Sequence, residues 1–228
     1  MRPRSVDRIG IVPAEFDLPL AFDLAATGLF ALSGALRAVK KGYDVAGLVT
    51  LALVAGVGGA LLRDGIFLQN GPPAVVSDYR YLYAVGVAAA LGWWFGSHLA
   101  TRFRVVFLVV DALGLGAYAV VGAQKTLDAG LSIPAAVLVG AINAVGGGML
   151  RDVLSREEPE VFKPGGYYAL AAVGGALVFC GLVKGAGLDG VPAAIAGIVV
   201  TFALRVLSVR FGWSTRPAPS RSRPPRER

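Results

Sequence analysis

Long apolar runs divide this chain, and each has about the length of a membrane-spanning helix. A helix rises about 1.5 Å per residue, so about 20 mostly apolar residues are needed to cross the hydrocarbon core of a bilayer. Only 16% of the 228 residues are charged, and they gather with proline and glycine between the runs. We therefore predict an all-α integral membrane protein with seven transmembrane helices, at about 18–39, 45–62, 81–99, 104–123, 133–150, 167–184 and 191–208.

An internal repeat relates the first three spans to the next three. When the sequence is shifted by 88 residues, Asp23 aligns with Asp111, and VGGALLRD at 57–64 aligns with VGGGMLRD at 145–152. Each unit holds three helices, so the second unit must enter the membrane upside down relative to the first, as in many transporters and some channels. The predicted organisation is a polar segment (1–17), a first repeat (18–99), an inverted second repeat (104–184), an additional helix (191–208) and a disordered basic tail (214–228).

The chain has a net charge of +7, and the distribution of its basic residues predicts its orientation in the membrane. Positive charge is retained on the cytoplasmic side of a membrane protein. The side that holds the C-terminus collects more basic residues than the other, because the last helix and the tail add seven arginines to it. We therefore predict a cytoplasmic C-terminus. The tail is either a topology signal alone or a segment that touches anionic membrane lipids, and no nucleic-acid partner is predicted.

The composition argues against an enzyme. His98 is the only histidine, which excludes a zinc site of the HExxH kind and leaves any Ser-His-Asp triad dependent on that one residue. The single cysteine, Cys180, cannot form an internal disulfide, and no metal-ligand pattern surrounds it. We predict no catalytic residues and no cofactor.

The first and fourth predicted helices share one pattern. An acid is followed by an aromatic residue after seven positions, a glycine after four more and a base after three more, from Asp23 to Arg37 and from Asp111 to Lys125. These steps keep all four residues on one helical face. An ionised side chain inside the bilayer costs at least about 2.5–3.5 kcal/mol, so this face should meet protein or water. The face either lines a polar pathway or forms ion pairs and interfacial contacts only.

A Gly-Gly-x-x-x-Arg-Asp element occurs once in each repeat. Consecutive glycines weaken a helix, permit a kink and expose backbone carbonyls that can replace the water shell of a cation. Alternatively, the glycines allow close helix packing and the Arg-Asp pairs mark the membrane interface. Together the two patterns give the pore and gating candidates Asp23, Arg37, Gly58, Gly59, Arg63, Asp64, Asp111, Tyr118, Lys125, Asn143, Gly146, Gly147, Gly148, Arg151 and Asp152.

These motifs resemble those of the prokaryotic branch of the trimeric intracellular cation channel (TRIC) family. The resemblance rests on both Gly-Gly-x-x-x-Arg-Asp copies, on Asp111-Ala-Leu-Gly and on Gly122-x-x-Lys125, and it covers about residues 18–208. It implies a homotrimer in the bacterial inner membrane, with one pore per subunit between kinked second and fifth helices. The pore would pass monovalent cations, chiefly K⁺, with no metal bound beyond the ion in transit. Lys125 takes the position of a basic residue that is linked to gating in that family.

Two other functions stay open at this point. Some bacterial relatives are described as carriers of glycine. Inverted repeats fit a carrier with an occluded site as well as a channel with a continuous wet path. A membrane scaffold without transport would explain the glycines but not the paired charges inside the membrane. The resemblance favours the channel, and a secondary transporter of a small solute such as glycine is the alternative.

Overall fold

A computed structural model describes residues 18–98, 102–163, 165 and 167–214. The regular elements in this part of the chain are all helices. They are α1 (Leu20–Lys41), α2 (Val45–Leu62), α3 (Ala74–Ser77), α4 (Arg80–Phe95), α5 (Phe103–Asp128), α6 (Ile133–Leu154), α7 (Tyr168–Cys180) and α8 (Gly190–Phe211). Turns of π-helix over Arg63–Leu68 and Gly181–Gly185 extend α2 and α7. The predicted N-terminal segment, 1–17, and the tail after Ser214 lie outside the described residues.

Six helices of the described part are long and apolar enough to cross a membrane, namely α1, α2, α5, α6, α7 and α8 with their π-helical extensions. The helix α4 occupies the place of the third predicted span, 81–99. Its 16 regular residues reach only about 24 Å, which is less than the hydrocarbon thickness. The all-α membrane fold is thus confirmed, whereas the count of seven spans stays a prediction.

Short-range sequence signals fix the turn between the first two helices. The helix α1 ends at Gly42, whose φ of 72° lies in the left-handed region that glycine favours. The carboxylate of Asp44 then accepts a hydrogen bond from the backbone N–H of Gly47 at 2.8 Å, which caps the start of α2. The chain therefore reverses within a few residues, and α1 and α2 pack side by side as antiparallel neighbours.

Four helices form the centre of the protein. The helix α1 packs on α2 and α5, and α6 packs on α2 and α5. On the outside, α4 covers α1 and α2, α7 covers α5 and α6, and α8 packs on α5 and α7. Exposed apolar side chains such as Trp94, Ile195 and Val199 lie on these outer helices, as expected for surfaces that face lipid or another subunit. The buried charged side chains lie mainly on the four central helices.

Glycine allows the backbones of α2 and α6 to approach each other closely. A Cβ atom at Gly59 would collide with the carbonyl oxygen of Asn143, and one at Gly147 would collide with the carbonyl oxygen of Ala55. Ala55 and Asn143 are 88 residues apart, as are the two glycines, so the contacts are equivalent under the repeat. The structure therefore gives these glycines a packing role.

Candidate functional site: two buried charge clusters

Five polar side chains meet at one end of the central helices, and we call them the Asp23 cluster: Asp23, Arg63, Asp64, Tyr81 and Lys125. One carboxylate oxygen of Asp23 lies 2.6 Å from Lys125 Nζ and accepts a hydrogen bond from the Tyr81 hydroxyl at 2.7 Å. The other oxygen of Asp23 lies 3.7 Å from Arg63 Nη1. Four helices, α1, α2, α4 and α5, thus contribute to one network at this end.

Arg63 is held in place by its neighbour in sequence. Its Nε and Nη2 atoms donate to the two carboxylate oxygens of Asp64 at 2.6 and 2.9 Å. Such bidentate pairs fix the guanidinium plane as well as its charge. Asp64 also accepts a hydrogen bond from the backbone N–H of Ala74 at 3.2 Å, at the start of α3. The Arg-Asp element therefore lies at the point where α2 passes into its π-helical turn.

A second network occupies the opposite end of the same helices, and we call it the Asp111 cluster: Arg37, Asp111, Arg151, Asp152 and Tyr168. Arg151 donates to Asp111 at 2.5 Å and to Asp152 at 2.9 Å. The Tyr168 hydroxyl donates to Asp111 at 3.5 Å. Arg37 Nη2 lies 3.5 Å from an oxygen of Asp152. Arg151 is fully buried, so its charge is compensated within the protein.

The two clusters are built on the same plan. Each contains an aspartate from α1 or α5, an Arg-Asp pair from the end of α2 or α6, and a tyrosine from the start of α4 or α7. The remaining base comes from the other repeat. Lys125 near the end of α5 reaches Asp23 near the start of α1, and the Arg37 guanidinium near the end of α1 stacks on Phe107 near the start of α5. The helices α1 and α5 are therefore antiparallel neighbours.

An aromatic pair and several polar groups separate the two clusters. The rings of Phe30 and Tyr118, which are equivalent under the 88-residue shift, stack with centroids 5.3 Å apart. The Tyr118 hydroxyl donates to the carbonyl oxygen of Gly56 and lies 2.8 Å from the hydroxyl of Thr27. Asn143 donates to the carbonyl oxygen of Tyr118 at 2.7 Å. Among the described residues, its own side-chain oxygen has no hydrogen-bond partner, although it is buried.

Two pockets reach the Asp23 cluster from its own end of the protein. The first, of about 370 Å³, is lined by Asp23, Lys125 and Asp128 among others. The second, of about 350 Å³, is lined by Asp64, Lys125 and Asp128 among others. Lys125 lines both, and 32% of its side chain is exposed. The Asp23 cluster is therefore open to ions or small solutes from this side.

The structure brings the predicted charged candidates together in two clusters. The acid and the base of each patterned helix belong to different clusters, because fourteen residues separate them along the helix. Asp23 of α1 meets Lys125 of α5. Asp111, in contrast, pairs with Arg151, and Arg37 lies beside Asp152. Tyr81 and Tyr168 are not among the residues predicted from the sequence, since they are related by a shift of 87 rather than 88 residues. Of the glycine candidates, Gly148 packs against the Tyr168 hydroxyl, which would lie 2.5 Å from an added Cβ atom. Thr27 is a further polar residue that no spacing indicated.

A protein-family model described as "Glycine transporter" matches residues 20–97 and 108–184, which together make up more than half of the chain. The two matches begin 88 residues apart, so the comparison finds the same repeat that the sequence contains. The helix α8 lies beyond the second match.

Solved structures have the same fold at substantial sequence identity. The TRIC trimeric intracellular cation channel orthologue from Rhodobacter sphaeroides is 33% identical, with a TM-score of 0.78 over 85% of this chain and 98% of that one. The chain is a member of the TRIC family. A second structure, described as a TRIC cation channel, is 30% identical to this TRIC-family chain, with a TM-score of 0.71 over 89% of this chain and 98% of the other.

Curated relatives of the TRIC-family chain are described as membrane proteins. A UPF0126 membrane protein of Deinococcus radiodurans is 38% identical over 68% of this chain and 71% of the relative. The UPF0126 inner membrane protein YadS of Escherichia coli is 32% identical over 83% of this chain and 90% of the relative. These names confirm the membrane location and leave the transported substance open.

Proposed function

We propose that this chain is a monovalent cation channel that passes K⁺ across the bacterial inner membrane. The observation that carries the proposal is the pair of charge clusters at opposite ends of the α1–α5 helix pair. Ionised groups inside a bilayer are costly and usually mark the path of an ion. Each cluster holds two carboxylates and two bases, so neither presents an excess of positive charge to a cation. Similarity to solved TRIC cation channels supports the same conclusion.

In this proposal the structure corresponds to a closed channel. Lys125 lies between the two pockets and neutralises Asp23, and the stacked rings of Phe30 and Tyr118 narrow the route behind it. An apolar constriction resists wetting and therefore blocks ions even where polar groups flank it. Separation of Lys125 from Asp23 and of the two rings would open the route. The unpartnered oxygen of Asn143 is then available to a passing cation.

The proposed architecture consists of two inverted three-helix repeats, 18–99 and 104–184. In it, α4 is the third span of the first repeat and brings the total to seven, and α8 lies outside the repeats. The antiparallel contact of α1 with α5 supports the inversion, as does the reciprocal packing of Gly59 on Asn143 and of Gly147 on Ala55. We further propose a homotrimer with one pore in each subunit and a cytoplasmic C-terminus. The trimer is supported by the description of the Rhodobacter relative as a trimeric channel.

A carrier of a small zwitterion such as glycine is the second candidate. The family model bears that description, and the pocket at Asp23 holds both a base and carboxylates that suit the two charges of an amino acid. A carrier would show saturable transport of the solute. A channel, in contrast, would conduct ions when no solute is present.

Both transport activities can be measured in one preparation of proteoliposomes. We expect dissipation of a K⁺ gradient without glycine, and uptake of radiolabelled glycine no faster than in protein-free vesicles. Asp23→Asn should change the K⁺ flux because Asp23 is the shared partner of Lys125, Tyr81 and Arg63. Asp189→Asn is the matched control, since Asp189 is an exposed carboxylate just before α8. Saturable glycine uptake without K⁺ flux would replace the channel by the carrier.

A further inference from the structure

The segment that connects α6 to α7 lies over the Asp111 cluster, and we call residues 155–163 the α6–α7 segment. Its first residue, Ser155, is 1% exposed and donates to the carbonyl oxygen of Asp152. The backbone N–H of Glu160 donates to the Asp152 carboxylate at 3.3 Å. Asp152 itself is almost fully buried. The segment thus closes over the cluster through direct contacts with one of its members.

Two glutamates tie this segment to helices on either side of it. Glu157 lies 2.5 Å from Lys41 Nζ and 3.9 Å from Arg37 Nη1, so it reaches the end of α1. Glu160 accepts from Arg205 of α8 at 2.8 Å and from Lys163 of its own segment at 2.8 Å. Glu157 therefore connects the segment to α1, and the ion pair of Glu160 with Arg205 connects it to α8.

Arg205 connects α8 to the cluster as well as to the segment. It is 4% exposed, and its guanidinium lies 4.9 Å from the centre of the Tyr168 ring. Tyr168 in turn donates to Asp111. The helix α8 lies outside both matches of the family model. An element that the repeat does not contain therefore holds the segment that covers one of the two clusters.

Within the described residues, the first repeat has no equivalent of these ion pairs. A shift of 88 residues places Gln69 at the position of Glu157 and Pro72 at the position of Glu160. Neither residue carries a negative charge that could form an ion pair with a lysine or an arginine. At this end the two pockets reach Asp23, Asp64 and Lys125. The two ends of the proposed pathway are thus covered differently, although the clusters beneath them are built alike.

We propose that the α6–α7 segment is a gate at the C-terminal end of the pathway, latched to α1 by Glu157 and to α8 by Glu160. The gate rests on the proposed function, because it controls access to the same pathway. When both latches are intact, the segment covers Asp152 and Arg151. When they are released, the segment moves away from the cluster and water and cations reach it from that side.

The charges around the latches set their pH dependence. Glu157 faces Lys41 and Arg37 of α1, and its hydrogen bond to Lys41 holds its pKa below the usual value. Burial alone would raise the pKa of Glu160, but Lys163 and Arg205 outweigh burial and lower it. Asp152 of α6 also contacts this segment. A carboxylate with a lowered pKa keeps its charge at neutral pH, so the gate is expected to stay latched between pH 6 and 8, well above the ordinary glutamate pKa of about 4.3.

The gate can be tested without any transport measurement. Ser155→Cys in a Cys180→Ala background places one thiol at the buried start of the segment, and its reaction with a water-soluble thiol reagent is followed in lipid nanodiscs. We expect the pair Glu157→Gln and Glu160→Gln to speed labelling about fivefold to tenfold, in line with the loss of the partly exposed ion pairs of both glutamates. Glu158→Gln is the matched control, since Glu158 is exposed in the same segment and forms no ion pair within the described residues. Equal labelling rates in all variants, or an equal rise in the control, would overturn the gate.

Ion flux gives the second readout. The double glutamine variant should show a higher open probability than the wild type, while Glu158→Gln should match the wild type. If the wild type conducts and the double variant is indistinguishable from it, the gate is wrong and the channel stands. If no variant conducts while labelling still depends on Glu157 and Glu160, the proposed function is wrong and the segment is a cover of a different transport route.

Discussion

Lys125 of α5 forms an ion pair with Asp23 of α1 at 2.6 Å, so the base of the second repeat neutralises the acid of the first. Arg37 has the corresponding place at the other end, where it lies beside Asp152. The crossed pairing follows from the antiparallel packing of two helices that carry the same sequence pattern. On each helix the acid and the base are about 21 Å apart, and the crossed pairing places them in two separate, compact clusters.

Lys125 is a partly exposed base that lines both pockets at the proposed entrance. Lys125→Met leaves one additional negative charge at the mouth, which concentrates cations there, so the unitary K⁺ conductance should rise by roughly twofold. Single-channel recording measures this directly. Lys184→Met is the control, because Lys184 is an exposed lysine on the same side of the membrane, at the end of α7. An unaltered record for Lys125→Met would remove its assigned role.

Arg151 neutralises two buried carboxylates at once. Arg151→Gln would leave Asp111 and Asp152 without their shared partner, and the loss of one member of a buried ion pair typically costs about 3–5 kcal/mol. We expect a clearly lower Tm in detergent, with partial recovery when Asp111→Asn is added. Arg156→Gln, at an exposed position in the α6–α7 segment, should leave the Tm unchanged. Equal Tm values for both arginine variants would contradict the buried network.

The close crossing of α2 and α6 predicts a strong effect of a single methyl group. Gly147→Ala would push its Cβ atom into the carbonyl oxygen of Ala55, so the two helices would have to separate. K⁺ flux should fall several-fold while size-exclusion chromatography still gives the wild-type oligomer. Gly86→Ala in α4 is the control, because an added Cβ atom there has no neighbour within 4 Å. If flux survives in Gly147→Ala, this glycine is not part of the conduction pathway.

The latch at Glu160 predicts a pH-dependent contribution to stability. Its lowered pKa means that the ion pair with Arg205 stabilises the fold above the ordinary glutamate pKa and is lost as the pH falls through the lower, folded-state value. The Tm difference between wild type and Glu160→Gln should therefore be constant from pH 6 to 8 and shrink as the pH falls below the ordinary glutamate pKa of about 4.3. A difference that grows on acidification would have the wrong sign and would exclude this ion pair as its source.

The sequence predicts the helical membrane fold well, because the lengths of the apolar runs and the constant 88-residue shift can both be read from it directly. It also identifies Asp23, Asp111, Arg63 and Arg151, since charges within apolar runs are conspicuous. It does not predict which charges meet, because that depends on the relative direction of α1 and α5. Tyrosines within apolar runs pass as ordinary core residues, so Tyr81 stays hidden until its hydroxyl is seen at Asp23.

The contacts of α8 were equally inaccessible from the sequence. Arg205 is one of two arginines in the otherwise apolar helix α8, and no spacing links it to Glu160, 45 residues earlier. A charge within an apolar span favours a buried face, but it does not indicate the partner. The prediction of an additional helix outside the repeats therefore does not include its contact with the segment over the Asp111 cluster.

Reversal potentials of the purified wild-type chain in planar bilayers bear on the whole pathway from Asp23 to Asp111. Under a tenfold KCl gradient we predict stepwise currents that reverse close to the K⁺ equilibrium potential, about 59 mV in magnitude for one charge. Reversal near the Cl⁻ potential, or no stepwise current together with saturable glycine uptake by the same preparation, would contradict a cation channel.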